Sequence, residues 1–168
     1  MNENENNPFE VYLGLGSNIS PEINLPRALE LLREDVELVK TSSIWETPPV
    51  GSTGPNFLNA AALIKTGLSE EALRSQVLKK IEARLGRIRT PDQNAPRTID
   101  LDILIFDGKI RDDQIWERAY LALPLSELNP GLTHPRSGES IQKVAQRLSQ
   151  SNPIRKRALD IVTWRRKT

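Results

Sequence analysis

The segment "RTIDLDILIF", Arg97 to Phe106, constrains this chain most. Its apolar, β-branched residues read as a buried strand, yet two carboxylates one residue apart stand at its entrance. Alternate residues of a strand share a face, so Asp100 and Asp102 point the same way, with Cα atoms roughly 6.5 to 7 Å apart. Thr98 precedes them on that face, and Leu104 and Phe106 follow, so the face is expected to become core within one more step. A charge there is costly to strip of water unless it is partnered.

Partners are close in sequence. Arg84, Arg87, Arg89 and Arg97 fall within 14 residues, concentrating bidentate donors beside the two acids. Two readings stay open on these residues alone. In one, the aspartates pair with arginines or cap a neighbouring turn. In the other, they hold one or two Mg²⁺ ions, which favour carboxylate oxygens, waters and phosphate oxygens, while the arginines clamp the phosphates. Phosphoryl transfer depends mainly on positioning and charge stabilisation, so it does not require a strong general base.

Composition narrows the alternatives. With no cysteine and a single histidine, His134, thiolate zinc sites, disulfides, cysteine nucleophiles and His-rich metal sites are excluded. Lys and Arg number 23 against 22 Asp and Glu, so no global field selects nucleic acid or a membrane surface as partner. The length, 168 residues, fits one domain. Residues 1–8, "MNENENNP", have neither the basic start nor the apolar run of a signal peptide and read as a frayed tail. A soluble, cytoplasmic monomer acting on small molecules is expected, and the basic end "WRRKT" reads as a second tail.

"VYLGLG" predicts a strand, followed by a helix over "SPEINLPRALELLRE" with Ser20 in position to cap it. "VELVKTSSIWETP" predicts a second strand and "NFLNAAALIKTG" a third. The clearest helix is "SEEALRSQVLKKIEARLG", capped by Ser69, with Glu70 and Glu71 at its positive end and Gly86 as its stop. After the aspartate strand come the turn "DGK", the stretch "LALPLSEL", a helix around Ile141 to Leu148 and a closing strand within "IRKRALDIVTW". The order strand, helix, strand, strand, helix, strand predicts an α+β, ferredoxin-like fold, with two helices on one face of an antiparallel sheet.

Two further stretches offer surfaces. "TPPVG" is a stiff, proline-set loop with exposed backbone groups, and Phe57 and Asn59 of "NFLN" alternate onto one face, a ring and an amide suited to a flat polar heterocycle or to core and turn duties. "GLGSN" lacks a third glycine, since position 19 is Ile19, and no "GK[ST]" occurs, so neither glycine-rich phosphate loop is present. Gly14 and Gly16 are read as letting the strand end pass close to a neighbour or ligand.

Taken in order, "GLGSN", "SSIWETPPVG", "NFLNAA", "IEARLGRIR" and "PRTIDLDILIF", with "LALPLSELNPGL" beyond, resemble the 6-hydroxymethyl-7,8-dihydropterin pyrophosphokinases of folate biosynthesis. The resemblance implies the ferredoxin-like fold, ATP as co-substrate, two Mg²⁺ ions and transfer of the β,γ-diphosphate of ATP to the pterin hydroxymethyl oxygen with release of AMP. It places the metals on Asp100 and Asp102, and the pterin on Thr47, Pro48 and Val50 with Asn59 at its edge and Phe57 and Tyr120 against its faces. Glu82, Arg87, Arg89, Arg97 and Arg118 match positions near ATP, with Arg97 as the phosphate clamp and Arg87 beside it in catalysis. The chain departs from the pattern where a "PH" pair is usual: "KIRDDQIWERAY" contains neither residue and the loop is short. The missing lid contacts are expected from Trp116 or Arg118.

Overall fold

In the computed structural model, residues 7–51, 53–92 and 94–158 are described. The alternating apolar stretch after the polar start becomes β1 (Phe9–Ser17), which pairs antiparallel with β4 (Phe57–Thr66) on one side and β5 (Asp100–Phe106) on the other. The remaining strands are β2 (Glu37–Thr41), β3 (Ile44–Thr47), β6 (Lys109–Ile110) and β7 (Arg155–Arg157). They run in the order β6, β5, β1, β4, β3, β7, with β2 also paired to β4. The central four-strand order and the intervening helices give the ferredoxin-like arrangement.

The second strand read from the sequence is interrupted. Ser42 Oγ accepts a hydrogen bond from Ala61 N at 2.8 Å, and a bulge between Leu38 and Lys40 leaves Val39 exposed, so β2 and β3 are separate segments. A second bulge, between Tyr12 and Leu13, shifts the register against β5 and breaks its alternation at Leu104. Phe106, expected on the face of the aspartates, therefore lies on the opposite face, with its ring centroid 5.1 Å from that of Phe9.

Helix α1 (Pro21–Asp35) packs Leu25, Leu29 and Leu32 against the sheet. Ser20 precedes it in the left-handed region at φ 42° and does not cap it through its side chain. The next helix begins with α2 (Glu70–Ala72), where Ser69 Oγ accepts from Ala72 N, continues through a π-helical stretch, Leu73–Leu78, and ends as α3 (Lys79–Arg84) before Gly86 at φ 80°. Leu73, Val77 and Ile81 are buried against the same sheet face as α1. Each such fully buried aliphatic side chain contributes roughly 1.5–3 kcal/mol.

The opposite face is covered too, which the two-helix expectation did not include. The stretch "LALPLSEL" lies in a helix, α4 (Ala119–Leu128), with Pro124 inside it, and α5 (Ile141–Gln150) packs beside it. They form a second apolar cluster with Leu104, Ile105, Ile115 and Trp116. Of the predicted closing strand, Arg155–Arg157 pairs with β3. Residues 1–6 and 159–168, which hold most of both predicted tails, lie outside the described residues.

Candidate active site

Cross-strand register assembles the site. On β1, Gly14 faces Asp102 and Gly16 faces Asp100, and Gly16 also faces Asn59 of β4, which faces Trp45 of β3. One row across four strands therefore reads Asp100, Gly16, Asn59, Trp45. A Cβ on Gly14 would meet Leu121 of α4 at 3.3 Å, so glycine lets that helix close over the strand.

Beside this row lies a pocket lined by Thr47, Pro48, Val50, Phe57, Asn59 and Tyr120, with Gly16 and the two aspartates also in its wall. Asn59 is 4% exposed, and its Nδ2 donates to Thr47 Oγ1 at 2.7 Å. An open cleft of about 440 Å³ adjoins it, lined by Arg74, Lys79, Glu82, Arg87, Arg89 and Arg111. Among the described residues, strand β6 pairs with Ile105 and Phe106 at the end of β5, and the cleft runs along the start of that strand. Arg97, Asp100 and Asp102 line both spaces.

The arginines hold fixed positions. Arg87 donates to Asp100 Oδ1 at 2.7 Å and also to Glu82, while Arg97 donates to Asp100 Oδ2 at 2.9 Å, so both oxygens of Asp100 are engaged. Arg89 reaches Glu82 Oε1 at 3.0 Å. Burial pushes Glu82 above the usual carboxylate range, opposed by Arg87. Burial alone would lower Arg87, but Asp100 and Glu82 outweigh it and hold its guanidinium above the ordinary value.

No described residue donates a hydrogen bond to the side-chain carboxylate of Asp102, in contrast to Asp100. The surrounding protein thins its hydration, and Asp100, Glu82 and Asp112 add negative charge, so its carboxyl is pushed up to about 7 while Arg87 pulls the other way.

Not every predicted residue joins. Arg84 turns to Glu34 of α1 at 3.2 Å, and Arg118 precedes α4 without lining either space. Trp116 is 7% exposed in the second apolar cluster, 5.0 Å from the His134 ring, and so supplies no lid contact. His134 itself accepts from Arg136 N and Ser137 N, a turn-closing role. The sequence reading missed Asn18, whose Oδ1 accepts from Arg97 N at 2.8 Å and whose N donates to Arg97 O at 3.1 Å. Its place in "GLGSN" was the available signal. It also missed Arg74, Lys79 and Arg111.

An α+β sheet whose central strand ends carry two aspartates between a ring-lined pocket and an arginine-lined cleft defines a small-molecule site able to bring a flat heterocycle beside a polyanion. The chain belongs to the 7,8-dihydro-6-hydroxymethylpterin-pyrophosphokinase (HPPK) family, whose model matches residues 12–130. The 2-amino-4-hydroxy-6-hydroxymethyldihydropteridine pyrophosphokinase of Methylorubrum extorquens is 37% identical over 152 residues, covering 83% of this chain and 94% of its own. That of Aquifex aeolicus is 34% identical over 135 residues, 74% of this chain and 83% of its own. The folate synthesis bifunctional protein of Arabidopsis thaliana is 38% identical over 131 residues, but this chain spans only 27% of it. In structure, a Plasmodium falciparum HPPK-DHPS crystal structure matches with a TM-score of 0.67 at 15% identity, covering 88% of this chain and 47% of that one, a likeness of fold.

Proposed function

We propose that this protein transfers the β,γ-diphosphate of ATP to the hydroxymethyl oxygen of 6-hydroxymethyl-7,8-dihydropterin, releasing AMP, in folate biosynthesis. Family membership supports the reaction, and one observation carries its placement: the ring-lined pocket and the basic cleft share Arg97, Asp100 and Asp102. A pterin in the pocket and a triphosphate in the cleft would meet at those three side chains, which is the proximity that a group transfer between them requires.

In the pocket, Phe57 and Tyr120 take the two faces of the pterin and Asn59 its polar edge, with Thr47, Pro48 and Val50 presenting backbone. The Thr47 hydroxyl holds the Asn59 amide in one orientation and so fixes which edge it reads. In the cleft, Arg87, Arg89 and Arg97 are placed for phosphate oxygens, and Glu82 keeps the first two from collapsing onto the aspartates alone. Arg118 would reach the phosphates only by moving toward the cleft.

Among the described residues no group of three or more acidic or histidine side chains forms a complete metal cage. Two carboxylates on one strand face nevertheless suit Mg²⁺, which is commonly held by one or two carboxylates plus substrate phosphates and water. Asp100 and Asp102 would hold it, two ions being our reading. When bound, Mg²⁺ supplies charge neutralisation to the phosphate oxygens. Arg87 and Arg97 each engage one oxygen of Asp100, and each oxygen keeps a lone pair that a cation could take while the guanidinium groups stay beside it.

AMP release by the purified protein with ATP, Mg²⁺ and 6-hydroxymethyl-7,8-dihydropterin tests the proposal. Pterin-dependent AMP that falls by about a hundredfold or more in Asp100→Asn is expected. Tight binding of both ligands without AMP would leave a binding protein rather than a transferase.

A further inference from the structure

Away from the basic cleft, one side chain ties together two of the elements that line the ring-lined pocket, α4 through Tyr120 and β3 through Thr47. Glu127, near the end of α4, accepts from Trp45 Nε1 at 2.8 Å through one oxygen and from Ser43 N at 2.9 Å through the other. Both donors belong to the start of β3 and the bend before it. Tyr120 lies seven residues earlier on the same helix, two turns away and hence on the same helix face. At the far end of β3, Thr47 holds the Asn59 amide, and the chain runs directly into Pro48, Pro49 and Val50.

We infer that Glu127 is a positioning residue that sets the separation between the Tyr120 wall and the Thr47–Val50 wall, and thereby the fit of the flat heterocycle. Trp45 is the register partner of Asn59, so a displacement of β3 along α4 moves the Thr47 hydroxyl, the amide it orients and the proline loop together. The contact is bidentate in effect, one carboxylate against two N–H donors, and its strength depends on both being aimed at the same acid. The basic cleft lies across β1 on the side of β5, so it does not depend on this brace. The inference rests on the pterin reading of the pocket.

The test compares calorimetric affinities for 6-hydroxymethylpterin and for MgATP in the parent, Glu127→Gln, Trp45→Phe and the double variant. Gln keeps an acceptor for the indole N–H but turns an NH₂ toward Ser43 N, and Phe keeps the ring while removing its donor. Each single variant is expected to weaken pterin binding roughly five- to tenfold and leave MgATP affinity within about twofold, as loss of a charge-assisted hydrogen bond predicts. The double variant is expected to be no weaker than the poorer single one, because both break one link. Unchanged pterin affinity, additive losses, or parallel losses for both ligands with a falling melting temperature would overturn the inference. A parent that does not bind the pterin would overturn the reading of the pocket itself, and this inference with it.

Discussion

A Cβ placed on Gly16 would stand 3.0 Å from Asn59 Oδ1. Asn59 has little freedom to withdraw, since it is buried and its Nδ2 is held by Thr47 at 2.7 Å. Gly16→Ala would therefore push the amide by a few tenths of an ångström, straining its bond to Thr47 and shifting its aim at the pocket. Pterin affinity is expected to fall by about tenfold, the equivalent of one well-made hydrogen bond, with MgATP binding preserved. Titration of both ligands against the variant checks it.

Glu82 is 4% exposed and accepts from Arg87 and Arg89, while Arg87 also holds Asp100. Glu82→Gln removes the charge that keeps Arg89, itself largely exposed, at the rim of the cleft. Nucleotide affinity is expected to drop by about tenfold, equivalent to about 1.4 kcal/mol and modest for a charge-assisted bond because Arg89 is largely exposed, while pterin affinity changes little. Binding isotherms for a non-hydrolysable ATP analogue would show it. Equal losses for both ligands would mean that Glu82 supports the whole fold rather than the arginines.

Much of this site was legible before the fold was known. The alternation of Asp100 and Asp102 at the mouth of an apolar strand, the proline loop and the Phe57–Asn59 pair are all local patterns, and strand periodicity alone places each pair on one face. What escaped depends on contacts distant in sequence. The bulge that turns Phe106 away is set by how Tyr12 and Leu13 pair with β5, not by the residues beside Phe106. Pro124 obscured α4, whose position is settled by burial against the second sheet face. Trp116 looked available as a lid because no local feature distinguishes an exposed indole from one buried against His134. Asn18 was visible but unassigned, since its partner, the Arg97 backbone, lies 79 residues away.

Asp102 carries a pH signature. Its folded-state value, about 7, lies above the ordinary 3.8, so the native state holds the proton more tightly than the unfolded chain. The contribution to stability is fully present below about pH 4 and is lost as pH rises through about 7. In the absence of metal, Asp102→Asn is expected to melt above the parent at pH 8, by a smaller margin at pH 5, and level with it only below about pH 4. Mg²⁺ should raise the parent's melting temperature at pH 8 more than the variant's, because only the parent offers the second carboxylate. Thermal melts across that range, with and without Mg²⁺, decide the point, and a parent whose stability rises from pH 5 to pH 8 as much as the variant's would refute the raised value.

Thr98 stands two residues before Asp100, and its Oγ1 is buried without a hydrogen-bond partner among the described residues. An unpaired hydroxyl in such a place is destabilising, and valine has nearly the same shape without the polar atom. Thr98→Val is therefore expected to stabilise the fold by about 1 kcal/mol, a rise of roughly 2–4 °C in melting temperature for a chain of this size. The backbone of Arg97 stays anchored to Asn18, so the aspartates should keep their register. Denaturant and thermal unfolding of the variant measure the gain. A loss of stability instead would show that the hydroxyl has a partner in solution, a water between Arg97 and the strand being the chemistry most able to provide it.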